Sequence, residues 1–357
     1  MKPQVLLSIF AASISVAIAQ VSTPKYSNEF LSLGVGARSM AMSKTQVAIC
    51  DDITSGYWNP AGLTKIDERF EGGLMHAGYF AGMANYDYFG FSLATDSLGR
   101  IGISVVRFAV DDIPDTRYLY DANGVLHYDN IQFFSAADYA LLISYARKIP
   151  RFKNLRLGGN VKIIHRKAGE FAQAWGFGLD AGLQWEPVDG LSLGLMLKDF
   201  TGTFNAWTHN PIMLKEIYSQ TGNQIPENTI ELTLPKSILG IGYKFRFSKI
   251  GILTALDLDL TFDGKRNTLF KSNLVSAEPK AGLELDYDKM VFLRLGAGNA
   301  QQVKDFDGEL TMDFQPDFGV GFKIKNFKVD YALTDLGNQS EVLYSHIFSL
   351  IYGFSKI

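Results

Sequence analysis

The 357-residue chain carries 34 Lys and Arg against 37 Asp and Glu, a formal net charge of −3, so it lacks the strongly basic face that nucleic-acid binding requires. Its single cysteine, Cys50, excludes an intramolecular disulfide and reads as a small buried apolar residue. Aromatic residues make up 13% and glycines number 34, yet beyond the N-terminus there is no run of about 18 apolar residues to cross a membrane as a helix, and this combination suits an outer-membrane β-barrel.

In chain order, the first stretch is MKPQVLLSIFAASISVAIAQ. Lys2, the apolar run over 5–18 and the small residues Ala17 and Ala19 have the layout of a secretory signal peptide, residues 1–19, cut before Gln20. The run is too short to span a bilayer comfortably, and no cysteine follows the cut to mark a lipoprotein. Residues 20–66 show no periodicity and are rich in Gly, Ala and Ser, which permits close packing inside a tube. Within them, YWNPAGL (57–63) predicts a rigid bend. Asn59 is steered out of the helical region by the proline that follows, and Pro60 presets its own φ. Tyr57 and Trp58 are placed to wedge against a wall. The segment is expected to fold back into a lumen as a hatch or plug.

From residue 67 onward the pattern changes to period two. Leu155, Leu157, Gly159, Val161 and Ile163 share one face, with Arg156, Asn160 and Lys162 on the other. Trp175, Phe177, Leu179, Ala181, Leu183 and Trp185 oppose Gly176, Gly178, Asp180, Gly182, Gln184 and Glu186. Such alternation is a strand signature, since an amphipathic helix repeats every three to four residues. It predicts strands near 70–80, 85–95, 99–110, 138–149, 154–167, 173–186, 190–202, 232–248, 251–263, 277–288, 290–299, 315–325, 326–335 and 343–355. Fourteen is an even number, and most are long enough to span a bilayer. Tight links (TDSLGR, IPRFKN, EPVDG, FSKIG, DYDK, KIKN) alternate with mostly longer ones over 111–137, 203–231, 264–276 and 300–314. That is the two-ended layout of an outer-membrane barrel over 67–357, with the connection near Ala81 to Ala84 a short exception.

The apolar faces are expected to meet lipid, and the opposite faces to point inward. These carry Arg156, Lys162, Asp180, Glu186, Lys198, Asp257, Asp259, Glu284, Arg294 and Asp330, mixed charges that a lumen tolerates and lipid does not. The last strand, YSHIFSLIYGFSKI, places Tyr344, His346, Phe348, Leu350, Tyr352 and Phe354 outward, resembling the signal read by barrel-assembly machinery.

The stretch GARSMAMSKTQVAICDDITSGYWNPAGL resembles the N-terminal signature of the FadL-like superfamily, and FLSLGVGARSMAM with YWNPAGL is most similar to the PorV/PorQ family of the Bacteroidota. The resemblance implies that Gly36, Ala37, Arg38, Asp51, Asp52, Asn59, Pro60, Ala61 and Gly62 belong to the hatch. It also implies an integral outer-membrane barrel in a Gram-negative cell and one of two roles. PorV-type members are partners in type IX protein secretion, whereas FadL proper carries hydrophobic small molecules.

Other candidate chemistry is thin. The acidic groups Asp111, Asp112, Asp115, Asp121, Asp129 and Asp305, Asp307, Glu309, Asp313, Asp317 lack the spacing of a calcium loop and read as solvated loops. His76, His127, His165, His209 and His346 are not spaced as zinc ligands, and no nucleophile elbow or dinucleotide loop is present. Neither enzyme, metal nor cofactor is expected. The long connections hold more apolar residues than solvated loops need: Tyr118, Tyr120, Phe133, Phe134, Phe204, Trp207, Ile212, Met213 and Leu214. They either cap the barrel or lie at the lipid interface, or they form a partner surface. The leading expectation is therefore a plugged fourteen-stranded barrel working through contacts with other outer-membrane or secreted proteins in an export or surface-assembly complex. The alternative is a transporter with a hydrophobic ligand in the barrel.

Overall fold

The structure, a computed structural model, describes residues 27–121, 123–221, 224, 228–304, 307–334 and 345–356. The expected signal peptide with its cleavage site, Asp305 and Tyr344 lie outside the described residues.

The alternating segments become one antiparallel sheet of fourteen strands. In chain order these are β1 (Glu68–Tyr79), β2 (Ala84–Ala94), β3 (Gly99–Asp115), β4 (Gln132–Lys148), β5 (Leu155–Ala168) and β6 (Ala172–Trp185). β7 (Leu191–Lys198, continued by Thr203–His209) and β8 (Thr229–Thr233, continued by Lys236–Phe247) are each interrupted once. β9 (Ile250–Thr261), β10 (Ser276–Tyr287), β11 (Val291–Lys304), β12 (Leu310–Ile324), β13 (Phe327–Thr334) and β14 (Ser345–Lys356) complete the ring. β1 pairs with β2 on one side and with β14 on the other, with Phe70 opposite Phe354 and His76 opposite Phe348, so the sheet closes on itself. At this seam the rings of Phe70 and Phe354 stack at 5.1 Å, and Phe91 joins them at 6.2 Å from Phe70.

The strands match the periodicity closely, and the departures have physical reasons. β3 and β4 run past their expected ends because the chain bulges between Val110 and Ile113, with Asp112 at φ 55°, and then resumes pairing up to Asp115 and Gln132. β11 and β12 likewise extend into the expected loop over 300–314. The strand expected over 190–202 breaks after Lys198, where Asp199 (φ 54°) and Gly202 (φ 75°) adopt left-handed backbone, and it restarts at Thr203. Its partner β8 breaks at Leu234 and Pro235, where proline offers no N–H to the ladder. The region over 203–231, expected as a loop, thus holds two strand halves and the helix Pro211–Thr221. Within the ring, tight turns gather at one end and the long connections over 116–131, 210–228 and 262–275 at the other.

Side chains divide as the alternation requires. Leu74, Phe89, Ile103, Phe177, Leu256 and Leu350 stand exposed on the outer wall, where lipid would meet them. Lys162, Asp180, Asp257, Asp259, Glu284, Arg294 and Asp330 point inward and are buried. They survive burial by pairing: Lys162 with Asp180 at 2.8 Å, Arg294 with Glu284 at 2.7 Å and with Asp330 at 2.6 Å.

The ring is filled by the residues ahead of β1. They form two single-turn helices, α1 (Ala37–Met40) and α2 (Ser55–Trp58), between short 3₁₀ turns at Glu29–Ser32 and Pro60–Lys65. Among residues 34–64 all but Arg38, Lys44 and Asp51 are buried. The small residues serve close approach from both sides: a Cβ placed on Gly158 of β5 would lie 2.5 Å from the Ala61 nitrogen and 2.6 Å from the Pro60 carbonyl carbon. Gly158→Val is therefore expected to lower the unfolding free energy by about 1–3 kcal/mol. Gly72→Ala on the outer wall, where the nearest atom is 3.7 Å away, is expected to change it little. Urea titration of the refolded barrel, followed by tryptophan fluorescence, separates the two.

Candidate functional site

The residues singled out in the N-terminal segment each make a defined contact. Gly36 sits at φ 87°, a conformation that favours glycine, and starts α1. The Ala37 N–H donates to Ser349 Oγ of β14 at 3.1 Å. Arg38 reaches Glu284 of β10 at 2.9 Å and Asp51 at 2.6 Å, tying two parts of the segment to the wall. Burial alone would raise the Asp51 carboxyl, but the Arg38 guanidinium outweighs it and holds that group below the usual carboxylate range. Asp52 Oδ1 accepts from the Thr54 N–H at 2.9 Å and from the Thr54 hydroxyl at 2.5 Å, fixing the start of α2.

The YWNPAGL bend is a knot of hydrogen bonds. Asn59, fully buried, donates to the carbonyls of Val47 at 2.8 Å and of Leu183 on β6 at 3.0 Å, while its side-chain oxygen accepts from the Ala61 N–H at 3.2 Å. Pro60 opens the 3₁₀ turn that follows. Gly62 leaves room for the chain above it, since a Cβ there would come within 2.5 Å of the Cys50 carbonyl oxygen. Tyr57 donates to the Leu31 carbonyl at 2.5 Å and Trp58 to that of Val35 at 2.8 Å. Cys50 is buried beside Gln184, and burial pushes its thiol up to about 12, so it stays protonated and unreactive.

Other inward groups anchor the segment around the ring. Asp257 of β9 accepts from the N–H groups of Gln46 at 2.8 Å and Val47 at 3.0 Å. Glu71 of β1 accepts from the Ile53 N–H at 2.7 Å, and Asn160 of β5 donates to the Gly56 carbonyl at 2.9 Å.

Between this segment and the long-loop end lies a narrow chamber. Tyr57, Trp58, Leu31, Leu142 and Ile238 give it an apolar side, and Lys44, Lys162, Lys198, Lys236, Lys280 and Arg266 a cationic one. Most of these cations are matched. Lys236 and Lys280 meet Asp259 at 2.6 and 2.7 Å, and Arg266 meets Glu29 at 3.0 Å and Asp263 at 2.5 Å. Lys44 and Lys198 differ. Neither makes an ion pair among the described residues: Lys44 donates to the Ser32 carbonyl at 3.2 Å, and Lys198 stands over the Tyr57 ring at 4.2 Å. Burial, with the neighbouring charge of Lys280, brings Lys44 down to about 8. Lys198 was legible as inward-facing from its place in the alternation; Lys44 lies where there is no period to read.

The apolar residues expected in the long connections do not form one patch. Phe134 packs edge-on against Phe171 at 5.1 Å, and Arg117 covers Phe171 at 4.7 Å and Tyr118 at 5.6 Å. Tyr120, Phe133 and Ile212 are exposed, while Met213 and Leu214 are half-buried. Phe204 and Trp207 lie in the upper half of β7 and not in a loop, because the broken strand resumes pairing with β6 there. Phe204 faces outward, and Trp207 faces inward and donates to Glu231 at 2.7 Å. Of the first acidic group, expected as a solvated loop, Asp111, Asp112 and Asp115 lie in β3, where Asp115 is buried and paired with Arg117 at 2.6 Å, while Asp121 in the connection accepts from two backbone N–H groups at 2.9 Å. Among the described residues no group of three His, Cys, Asp or Glu is placed to hold a metal ion.

No family model matches this sequence, and no curated protein matches it. Solved structures do. The toluene transporter TodX of P. putida superposes with a TM-score of 0.58 at 13% identity, covering 91% of this chain and 99% of its own. The toluene transporter TbuX of Ralstonia pickettii gives 0.54 at 15%, covering 90% and 98%. A Pseudomonas aeruginosa FadL homologue gives 0.52 at 12%, covering 90% and 98%. The fold shared with them is the closed antiparallel barrel of fourteen strands. At such identity the likeness establishes the architecture alone. These neighbours are transporters and channels, and the PorV-like branch expected from the N-terminal motif has no counterpart among them.

Replacing Arg38 by Met leaves Asp51 and one side of Glu284 uncompensated inside the ring. Arg294 still holds Glu284, so the expected loss is up to about 3 kcal/mol, below that of an isolated buried pair. The double change Arg38→Met with Glu284→Gln is expected to recover part of it. A double-mutant cycle in urea measures the coupling.

Proposed function

We propose that the protein stands in an outer membrane and carries a hydrophobic small molecule bearing an anionic group, with the N-terminal segment as the plug beneath its binding chamber. The observation that carries this reading is the chamber: a partly apolar wall facing two lysines, Lys44 and Lys198, that have no carboxylate partner among the described residues. Both lysines are half-buried, and a partly desolvated cation gains by meeting an anion, which a ligand carboxylate or similar group would supply. The fold shared with toluene and hydrocarbon channels supports passage of an apolar body. In this reading Gly36, Ala37, Arg38, Asp51, Asp52, Asn59, Pro60, Ala61 and Gly62 hold the plug in place and do not touch the ligand. At the break in β7, Asp199 lines the chamber and the adjacent Phe200 is 45% exposed on the outer wall, with the strand ladder still closed there.

A fluorescent polyunsaturated fatty acid and its methyl ester test the two halves of the proposal. The purified barrel is expected to bind the acid more tightly, and Lys198→Leu to weaken the acid about tenfold while leaving the ester unchanged. Equal binding of acid and ester removes the anion requirement. Binding of neither removes the conduit.

A second role, contact with another outer-membrane or secreted protein, is favoured by one observation. The long-loop rim exposes Tyr120, Phe133 and Ile212, the last at 85%, more apolar surface than a solvated rim requires. Affinity purification from native membrane in mild detergent is expected to bring a partner that the Tyr120→Ser, Phe133→Ser variant loses. A barrel that always comes alone rules this role out.

A further inference from the structure

The outer wall is largely apolar, and across β1 to β6 one cross-strand row of polar and aromatic residues interrupts it. His76, Asp87, Arg107, Tyr139, His165 and Trp175 stand directly opposite one another in register from β1 to β6. Their chain neighbours Met75, Tyr88, Val106, Ala140, Ile164 and Ala174 are buried toward the lumen, so the row faces outward. Each member lies roughly 7–10 residues from the tight-turn end of its strand, which at about 3.4 Å per residue and a tilt near 40° is about 20 Å of membrane depth. That is near the far edge of an apolar band about 25 Å tall, where the headgroups of the outer leaflet begin.

Asp87 is the anchor of the row. It pairs with the His76 Nδ1 at 2.7 Å and with the Arg107 guanidinium at 2.9 Å, and the His76 side chain remains 61% exposed. Arg107 also meets the Tyr139 hydroxyl. A guanidinium carries five N–H donors in a planar fork, so these two contacts leave N–H donors for a further acceptor. On the midplane side of the row the wall is indented by a groove of about 960 Å³, open side included, lined by Leu74, Phe89, Val105, Phe348 and Leu350. Halfway round the ring a second groove of about 990 Å³, between Ile241, Leu256, Leu283 and Leu295, has no Asp, Glu, His, Lys or Arg in its lining.

We propose that the first groove binds a phosphate-bearing lipid of the surrounding leaflet, one acyl chain along the aliphatic floor and the phosphate on Arg107 with His76 and Tyr139 beside it. The Arg107 guanidinium has N–H donors beyond those turned to Asp87 and Tyr139, and a charge-assisted bond from it to a phosphate oxygen favours an anionic head. An aliphatic trough ending in donors at headgroup depth matches the long axis of a lipid, whereas a protein face would repeat its polar contacts along the strand. The inference rests on the barrel standing in a bilayer and is independent of what passes through the lumen.

Native mass spectrometry of the full chain, released from mild detergent after titration with phosphatidylglycerol, phosphatidylcholine or inorganic phosphate, tests it. The wild type is expected to retain phosphatidylglycerol about fivefold better than phosphatidylcholine. Arg107→Gln should abolish that preference, Asp87→Asn should increase it by removing the internal competitor for Arg107, and Leu256→Ala in the second groove should leave it unchanged. Opposite shifts in two variants of one cluster do not arise from misfolding. Equal retention of the two lipids, a preference unmoved by Arg107→Gln, shifts of the same sign in both variants, or displacement by inorganic phosphate alone would each overturn the proposal, as would a dimer of barrels in place of bound lipid.

Discussion

Everything in this molecule depends on the pairing of its first strand with its last. In hydrocarbon there is no water to satisfy a backbone N–H or C=O, and each orphan costs several kcal/mol, so a sheet in a bilayer has to end where it began. The register from Phe70 opposite Phe354 to Gly78 opposite His346 meets that condition along nearly the whole of β1. It also accounts for the aromatic seam at the tight-turn rim, where rings fill the boundary between lipid and water. Even the interruption of β7 respects the rule: the Phe200 N–H still donates to the Leu179 carbonyl at 3.1 Å, so the wall bends without opening its ladder.

Closure creates a second problem, because a ring of fourteen strands encloses a space that side chains alone leave partly unfilled. The chain solves it with its own N-terminal segment, and the inward faces are written to receive that segment. Glycines stand where backbone meets backbone, as at Gly158 against Pro60 and Ala61, and carboxylates stand where the segment turns spare N–H groups outward, as at Asp257 and Glu71. The inward charges that do not serve the segment neutralise one another across strands. What is left over, at Lys44 and Lys198, is therefore informative about a ligand in a way that the paired lysines are not.

Much of this was legible in the sequence because lipid outside and polar groups inside impose a strict period of two, and the long strands keep it. Asn59 and Pro60 announced a rigid bend through local backbone chemistry. Their partners were not legible, since Leu183 is 124 residues from Asn59 and Glu284 is 246 from Arg38, and nothing near either end of those contacts marks the other. The break in β7 was missed for a related reason. Asp199 is held by Lys162 of β5 and by the Asp180 carboxylate of β6, and those tertiary contacts, not the local residues, turn the strand. Phe204 and Trp207 were consequently placed in a loop. Lys44 carries no signal in the sequence because a segment packed on all sides has no exposed face to set a period.

The likeness to hydrocarbon channels and the charged chamber are not in conflict. A barrel of this kind separates two decisions: outward positions and strand pairing fix the fold, while inward positions fix what the lumen accepts. Structures at 12–15% identity share the first set by necessity and the second only by inheritance. In this chain the inward set places Lys162, Lys236, Lys280 and Arg266 around one chamber, each with a carboxylate, and adds two lysines that face an apolar wall formed by Tyr57, Trp58 and Leu142. A neutral hydrocarbon would leave those two charges unmatched in a narrow space. On the proposed reading, a ligand with an anionic end would match them and still occupy the apolar side, and the lumen's own chemistry, more than the fold, would select the ligand class.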